Sequence, residues 1–258
     1  MQALQREIPE FLAVGAKEHQ RRLAFLQQAG AGPAVVWLGG FRSDMRATKA
    51  ESLSRWARDN GRACLRFDYS GHGESEGDFA TCTISQWLED ALAMLEAHTQ
   101  GPVVLVGSSM GGWLSLLAAR QLPPGKLAGL VLIAPAVDFT ESLMWAQFTD
   151  TIKRQIMETG LWLRHSEYSP EPYPISRALI ENGRGHLLFG TPFRTHCPVH
   201  ILQGMRDPDV PWQHALKLVE HLPDDEVTLT LINDGDHRLS REQDIARLIA
   251  AVAAVSAR

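Results

Sequence analysis

The pentapeptide Gly107-Ser108-Ser109-Met110-Gly111 carries the most chemistry in the chain. Alone, a GxSxG pattern is a weak signal. Here the apolar run VVLV precedes it and the helix-like stretch GGWLSLLAARQL follows it. A strand that turns sharply into a helix is the setting that exposes a serine hydroxyl as a nucleophile. The glycines allow backbone approaches that a Cβ would block. The helix N-terminus adds positive potential where an oxyanion would form. A serine hydroxyl stays a weak nucleophile until a base takes its proton, and an acid must orient that base. The chain has 10 histidines, so position has to choose among them. Asp207 follows the apolar run CPVHILQG, and His237 follows VTLTLIND. Open parallel sheets place their sites just past such strand ends. Ser109, Asp207 and His237 are therefore the candidate nucleophile, acid and base, and the chemistry they suit is acyl transfer. Asp209, Asp234 and Asp236 are rivals for the acid, although Asp236, next to His237, reads as a turn residue.

Acyl transfer also needs donors for the oxyanion, and main-chain N–H groups serve best because they are held in place. The candidates are Met110, which follows the nucleophile, and Phe41, in the loop after AVVWLGG. His72 lies in the glycine-rich loop FDYSGHGESEG, ahead of Ser109 in the chain, and reads as a loop residue making local bonds. Trp113, Trp145 and Phe148, with Trp162, are candidates to line a pocket for an apolar acyl group. No HExxH motif occurs, and the acidic stretches at 207–209 and 234–236 lack an EF-hand pattern, so no metal and no cofactor is implied.

The elements that must position these residues alternate. Residues 9–14 and 22–26 read as an antiparallel pair at a sheet edge. AVVWLGGF, RACLRFDYS, GPVVLVGSS, LAGLVLIAP, CPVHILQG and VTLTLIND read as strands, several apolar on both faces as a buried parallel sheet requires. Residues 46–60 read as a helix. Thr83 opens another, whose Ile84, Trp87, Leu88, Ala91, Leu92 and Leu95 share one face, with Gln86 at the capping-box spacing. The C-terminal helix carries Ile245, Leu248, Ile249, Val252 and Val255 on one side. This alternation predicts an α/β fold, with a mostly parallel sheet covered on both faces. Residues 137–196 break it. They contain Phe139, Trp145, Phe148, Trp162, Tyr168 and Tyr173, with Pro170, Pro172 and Pro174 as breakers. The expectation is an insertion, built of helical pieces without a buried strand, over one end of the sheet.

The whole chain, 258 residues, then reads as one domain carrying an insertion. Its net charge of −5 argues against a nucleic-acid partner, which needs a basic face. With 45% hydrophobic and 21% charged residues it is neither disordered nor fibrous. The longest apolar runs are too short to span a bilayer. MQALQREIPEF has no apolar core and is not read as a secretory signal or transit peptide. The 3 cysteines form no CxxC pair and read as buried reduced thiols. A cytoplasmic location is the default expectation.

On these motifs the sequence resembles the α/β-hydrolase superfamily over nearly its whole length. GSSMGG looks like the nucleophile elbow, FDYSGHGESEG like the aspartate-glycine-serine loop, and GMRDPDVPW with GDH like the acid and histidine loops. LQGMRDPDVPW and DHR are similar to the abhydrolase-domain subgroup that includes a protein depalmitoylase and acyl-glucuronide esterase. The resemblance implies an eight-stranded sheet, Ser109, Asp207 and His237 as the triad, and residues 137–196 as a short helical lid after the sixth strand. It implies an ester or thioester substrate, either a small molecule or an acylated protein. Two positions depart from the pattern: Gly39 and Gln203 stand where relatives commonly carry histidine. GSSMGG is also similar to the GNSMGG of carbon–carbon bond hydrolases, which keeps that reaction as an alternative. A non-catalytic binding protein on the same fold is a remoter one, since no triad member is missing.

Overall fold

The computed structural model describes residues 7–166 and 169–257. Tyr168 and the first six residues of the N-terminal segment lie outside them. Eight strands form one sheet: β1 (Glu10–Val14), β2 (Arg21–Gln28), β3 (Ala31–Leu38), β4 (Arg62–Phe67), β5 (Val103–Ser108), β6 (Leu127–Ile133), β9 (Val199–Gly204) and β10 (Val227–Ile232). Their order is β1-β2-β4-β3-β5-β6-β9-β10. β2 pairs antiparallel with β1 and with β4, and the pairings from β4 through β10 are parallel. The mostly parallel α/β sheet and its antiparallel edge pair agree with the sequence reading.

Side-chain alternation explains why the central strands are apolar throughout. Val36, Leu38, Leu105, Leu130 and Leu132 point to one face, where α2 (Ile84–His98), α3 (Met110–Ala119) and α6 (Trp212–Glu220) pack. Val35, Trp37, Val104, Val106, Val131 and Ile133 point to the other, under α1 (Thr48–Asp59) and α7 (Glu242–Ser256). Period-two alternation with both faces covered leaves no solvent face to carry polar residues. Thr83 caps α2, its hydroxyl accepting the Gln86 N–H at 3.4 Å.

The insertion differs from the expectation of a helical lid. It opens with short turns at Thr140–Met144 and Trp145–Gln147 and continues through α4 (Asp150–Thr159). It then forms an antiparallel hairpin, β7 (Leu161–Ser166) with β8 (Ser169–Ser176), and closes with α5 (Arg177–Gly183). The hairpin is a two-stranded sheet separate from the main one. Prolines at 170, 172 and 174 are compatible with a strand that pairs on one edge only, where missing N–H groups cost no ladder bonds. Asp138, buried at the start of the insertion, accepts the N–H groups of Leu188 and Phe189 at 2.8 and 2.9 Å. One carboxylate thus ties the start of the insertion to its end. Burial pushes that carboxyl above its ordinary range. Among the described residues no helix is long and apolar enough to cross a membrane. All three cysteines are buried and unbridged.

Candidate active site

The turn between β5 and α3 is tight because its neighbours carry no side chains. A Cβ on Gly107 would lie 2.3 Å from the Gly111 carbonyl oxygen, and one on Gly111 would lie 2.0 Å from that of Leu38. Both obstacles are backbone, so neither can swing away. Gly111→Ala is expected to lower the unfolding free energy by about 3 kcal/mol, read from urea denaturation. Within this turn Ser109 takes φ 55° and ψ −117°. That is a strained conformation for an L-residue, held by Ser109 N–H on the Ile133 carbonyl at 2.8 Å. Its hydroxyl stands at the C-terminal edge of the sheet.

The loops after β9 and β10 are laced together. Met205 N–H donates to the Ile232 carbonyl at 2.9 Å and Arg206 N–H to that of Gly235 at 2.8 Å. This lacing sets Asp207 against His237. His237 Nδ1–H donates to Asp207 Oδ2 at 2.7 Å, and Nε2 faces Ser109 Oγ at 3.1 Å. Asp207 Oδ1 accepts the N–H groups of Asp209 and Val210, both at 2.8 Å. Asp236 accepts the Leu239 N–H at 2.9 Å, which keeps it a turn residue. Asp207, Asp209 and His237 bring donor atoms within 4.8 Å of one another, a spacing a cation could use. Both Asp207 oxygens, however, already accept N–H donors, and His237 spends Nδ1 on the same carboxylate. The donor set is that of an oriented imidazole and does not fit a resident metal.

The family model described as serine aminopeptidase, S33, matches residues 33–172. The mouse mitochondrial palmitoyl-protein thioesterase ABHD10 is 36% identical over 231 residues, covering 89% of this chain and 77% of that protein. A solved structure from Agrobacterium vitis S4 superposes with a TM-score of 0.93 at 48% identity, over 96% of this chain and 98% of that one. The structure of mouse α/β hydrolase domain-containing protein 10 gives 0.87 at 33% identity, over the same shares. The chain belongs to the S33 family of α/β hydrolases. It is a hydrolase of the carboxylesterase and thioesterase type.

Two cavities meet at the Ser109 hydroxyl of this hydrolase. The smaller, about 160 Å³, is walled by Phe41, Met110, Ala136, Phe139, Leu143, Met144 and Val210, with Arg164 and Asp209 among its polar residues. The larger, about 550 Å³, runs past Gly40, Arg42, Ser43, Lys49 and Arg238. Tyr173, from the hairpin, borders both. Phe41 and Met110 thus reach the cavity that holds Ser109 and His237. Gly40 lies against the nucleophile turn: a Cβ there would come 3.3 Å from the Ser108 carbonyl oxygen.

The expected pocket aromatics require correction. Trp113 is fully buried and lies one layer back, its ring edge-on to Phe139 at 5.5 Å. Trp145 and Phe148 border neither cavity; Phe148 packs on Trp162 at 5.1 Å, and the Arg184 guanidinium lies 5.0 Å over Trp145. The Trp145, Phe148 and Trp162 rings bind the insertion to itself, while Phe139, Leu143, Met144 and Tyr173, with the polar Gln147 and Arg164, supply its share of the walls.

Three further residues bear on the site without having been singled out for it. Gln203, fully buried, donates from Nε2 to the Val210 carbonyl at 3.0 Å and lies 3.3 Å from Asp207 Oδ2, bracing the acid loop. A polar residue closing an apolar strand was its signal. Lys49 on α1 donates to the Arg238 carbonyl and holds the loop after His237. Burial pulls its ammonium down to about 8. His72 is buried, and that burial pushes its imidazole down to about 4, so it is neutral at ordinary pH.

Proposed function

We propose that this hydrolase cleaves carboxylic esters or acyl thioesters through an acyl-enzyme formed on Ser109. One observation carries the reading: the unbroken hydrogen-bond chain Ser109 Oγ, His237, Asp207 at the meeting point of two cavities. In this reading Ser109 attacks the acyl carbon and His237 Nε2 takes its proton. Asp207 holds the imidazole in the tautomer that leaves Nε2 open and stabilises it once charged. The N–H groups of Phe41 and Met110 receive the oxyanion. His237 then protonates the departing alcohol or thiol, and water releases the acid by the same steps in reverse order. The smaller cavity, where Phe139, Leu143, Met144 and Val210 lie together, takes the acyl group, and the larger one, past Arg42, Lys49 and Arg238, the leaving group. The thioesterase name of the 36%-identical mouse relative supports including thioesters, and acyl groups carried on protein, among the substrates.

A fluorophosphonate probe tests the assignment directly. Mass spectrometry of the labelled protein is expected to find the phosphonyl group on Ser109. A folded protein that resists the probe, or carries it elsewhere, overturns the reading. Turnover of p-nitrophenyl esters and matching acyl thioesters over a chain-length series then locates the preferred acyl group.

A further inference from the structure

We infer that His72 is a positioning residue for the oxyanion turn: its neutral imidazole accepts the Arg42 N–H and so holds the turn that carries Phe41. The inference rests on reading Phe41 as an oxyanion donor and adds the group that fixes it in place.

The turn is strained. Gly40 and Ser43 close it, Ser43 N–H on the Gly40 carbonyl at 3.0 Å, and Arg42 sits inside with φ 58°. A non-glycine residue keeps a left-handed conformation only when its surroundings over-determine it. Rotating the Phe41–Arg42 peptide would return Arg42 to a negative φ. Two bonds from the 68–77 loop oppose that movement. Arg42 N–H donates to His72 Nε2 at 3.1 Å. Met45 N–H, just past the turn on the same segment as Arg42, donates to Asp68 Oδ1 at 2.6 Å.

Geometry settles the state of His72. Its Nδ1 lies 3.1 Å from the Ser70 carbonyl, which can only accept, so Nδ1 carries the hydrogen. Nε2 faces an N–H donor and must present a lone pair. A protonated ring would set one N–H against another. The ring itself cannot turn, because it lies edge-on to Tyr69 at 5.8 Å, Phe79 at 5.1 Å and Trp87 at 5.3 Å. Phe41 packs on two of the same walls, at 4.8 Å from Phe79 and 5.8 Å from Trp87. Backbone and ring of the oxyanion turn are therefore referenced to one rigid frame. His72 touches no reacting atom, and its effect passes through Arg42 and Phe41.

Two variants separate this role from a merely structural one. His72→Leu keeps an apolar filler and removes the acceptor. His72→Gln returns an amide oxygen near the position of Nε2. A displaced oxyanion donor costs up to about 100-fold in rate. The expected result is a fall in kcat of about 10- to 100-fold for His72→Leu on a p-nitrophenyl ester, with KM changed by less than about threefold. Most of kcat should return in His72→Gln. Hydrogen exchange of the peptide spanning 40–44 should be faster in His72→Leu than in the parent. Folding is checked for each variant by thermal unfolding. An active parent whose His72→Leu variant is folded and keeps its kcat overturns the proposal alone. So does a His72→Gln variant that is folded yet no better than His72→Leu. A parent that turns over neither esters nor thioesters overturns the reading of the site and this proposal with it.

Discussion

Ser109→Ala is expected to abolish hydrolysis, lowering kcat by about 10⁵- to 10⁶-fold while leaving the fold intact. The size follows from removing the atom that would form the acyl-enzyme. Without it, His237 could at best activate water, and the donors at Phe41 and Met110 would face a carbonyl with no nucleophile poised against it. The substitution is clean because the Cβ stays. Ser109 already accommodates one at φ 55°, and its hydroxyl makes the bond at 3.1 Å to His237. Thermal unfolding should therefore match the parent within a degree or two, and substrate should still bind. Both quantities are read alongside steady-state turnover of an ester and a thioester. Residual activity above about one part in a thousand would show that Ser109 is not the nucleophile.

Asp207→Asn is expected to cost about 10⁴-fold in kcat, with little change in KM. The asparagine is nearly isosteric, and its carbonyl can keep the bonds from the Asp209 and Val210 N–H groups at 2.8 Å. Its NH2 then falls where Oδ2 was, opposite His237 Nδ1. Two donors cannot face each other, so the imidazole must move its hydrogen to Nε2. Nε2 then offers Ser109 a donor where it needs an acceptor. The same NH2 also meets Gln203 Nε2, now 3.3 Å from Oδ2, and gains no bond there. A loss of less than about tenfold would assign the acid to another carboxylate. Asp209, adjacent to the site, is the first to try.

The legible and illegible parts of this molecule divide along a physical line. The sheet reads from the chain because strands buried on both faces must be apolar throughout, as VVLV and LVLI are. Ser109 stands out because it follows such a run directly, and Asp207 and His237 because each lies within a few residues of a later strand end. The order of strands and the end at which they place their loops then bring the three within hydrogen-bond reach. Pocket walls have no such local signature. Trp113 is three residues beyond Met110 in a helix buried on every side, and no periodicity says that its ring backs Phe139 instead of facing the cavity. The hairpin was hidden by its prolines, which mark strand ends in a central sheet but are tolerated at an edge. Gln203 and His72 act through main-chain atoms of other loops, and those partners are fixed only by the folded structure.

The carboxylate of Asp138 has a consequence for how the specificity of this hydrolase can change. From Asp138 to Leu188 the chain runs 50 residues, yet a hydrogen bond of 2.8 Å brings the two together. To the sheet, a segment pinched in this way presents the closure entropy of a short connection. Its inner length can vary at a cost of only about 0.6 kcal/mol per doubling. The length of the insertion is thus decoupled from the closure of the strands that flank it, although its buried side chains share their core. The hairpin, a two-stranded sheet of its own, is expected to tolerate lengthening without altering the register of β6 against β9, whereas Phe139 and Tyr173, at 5.6 and 5.7 Å from the Phe41 ring, stay coupled to the turn that carries it. The triad and part of the cavity wall are carried by different stretches of one chain, and Asp138 is the seam between them.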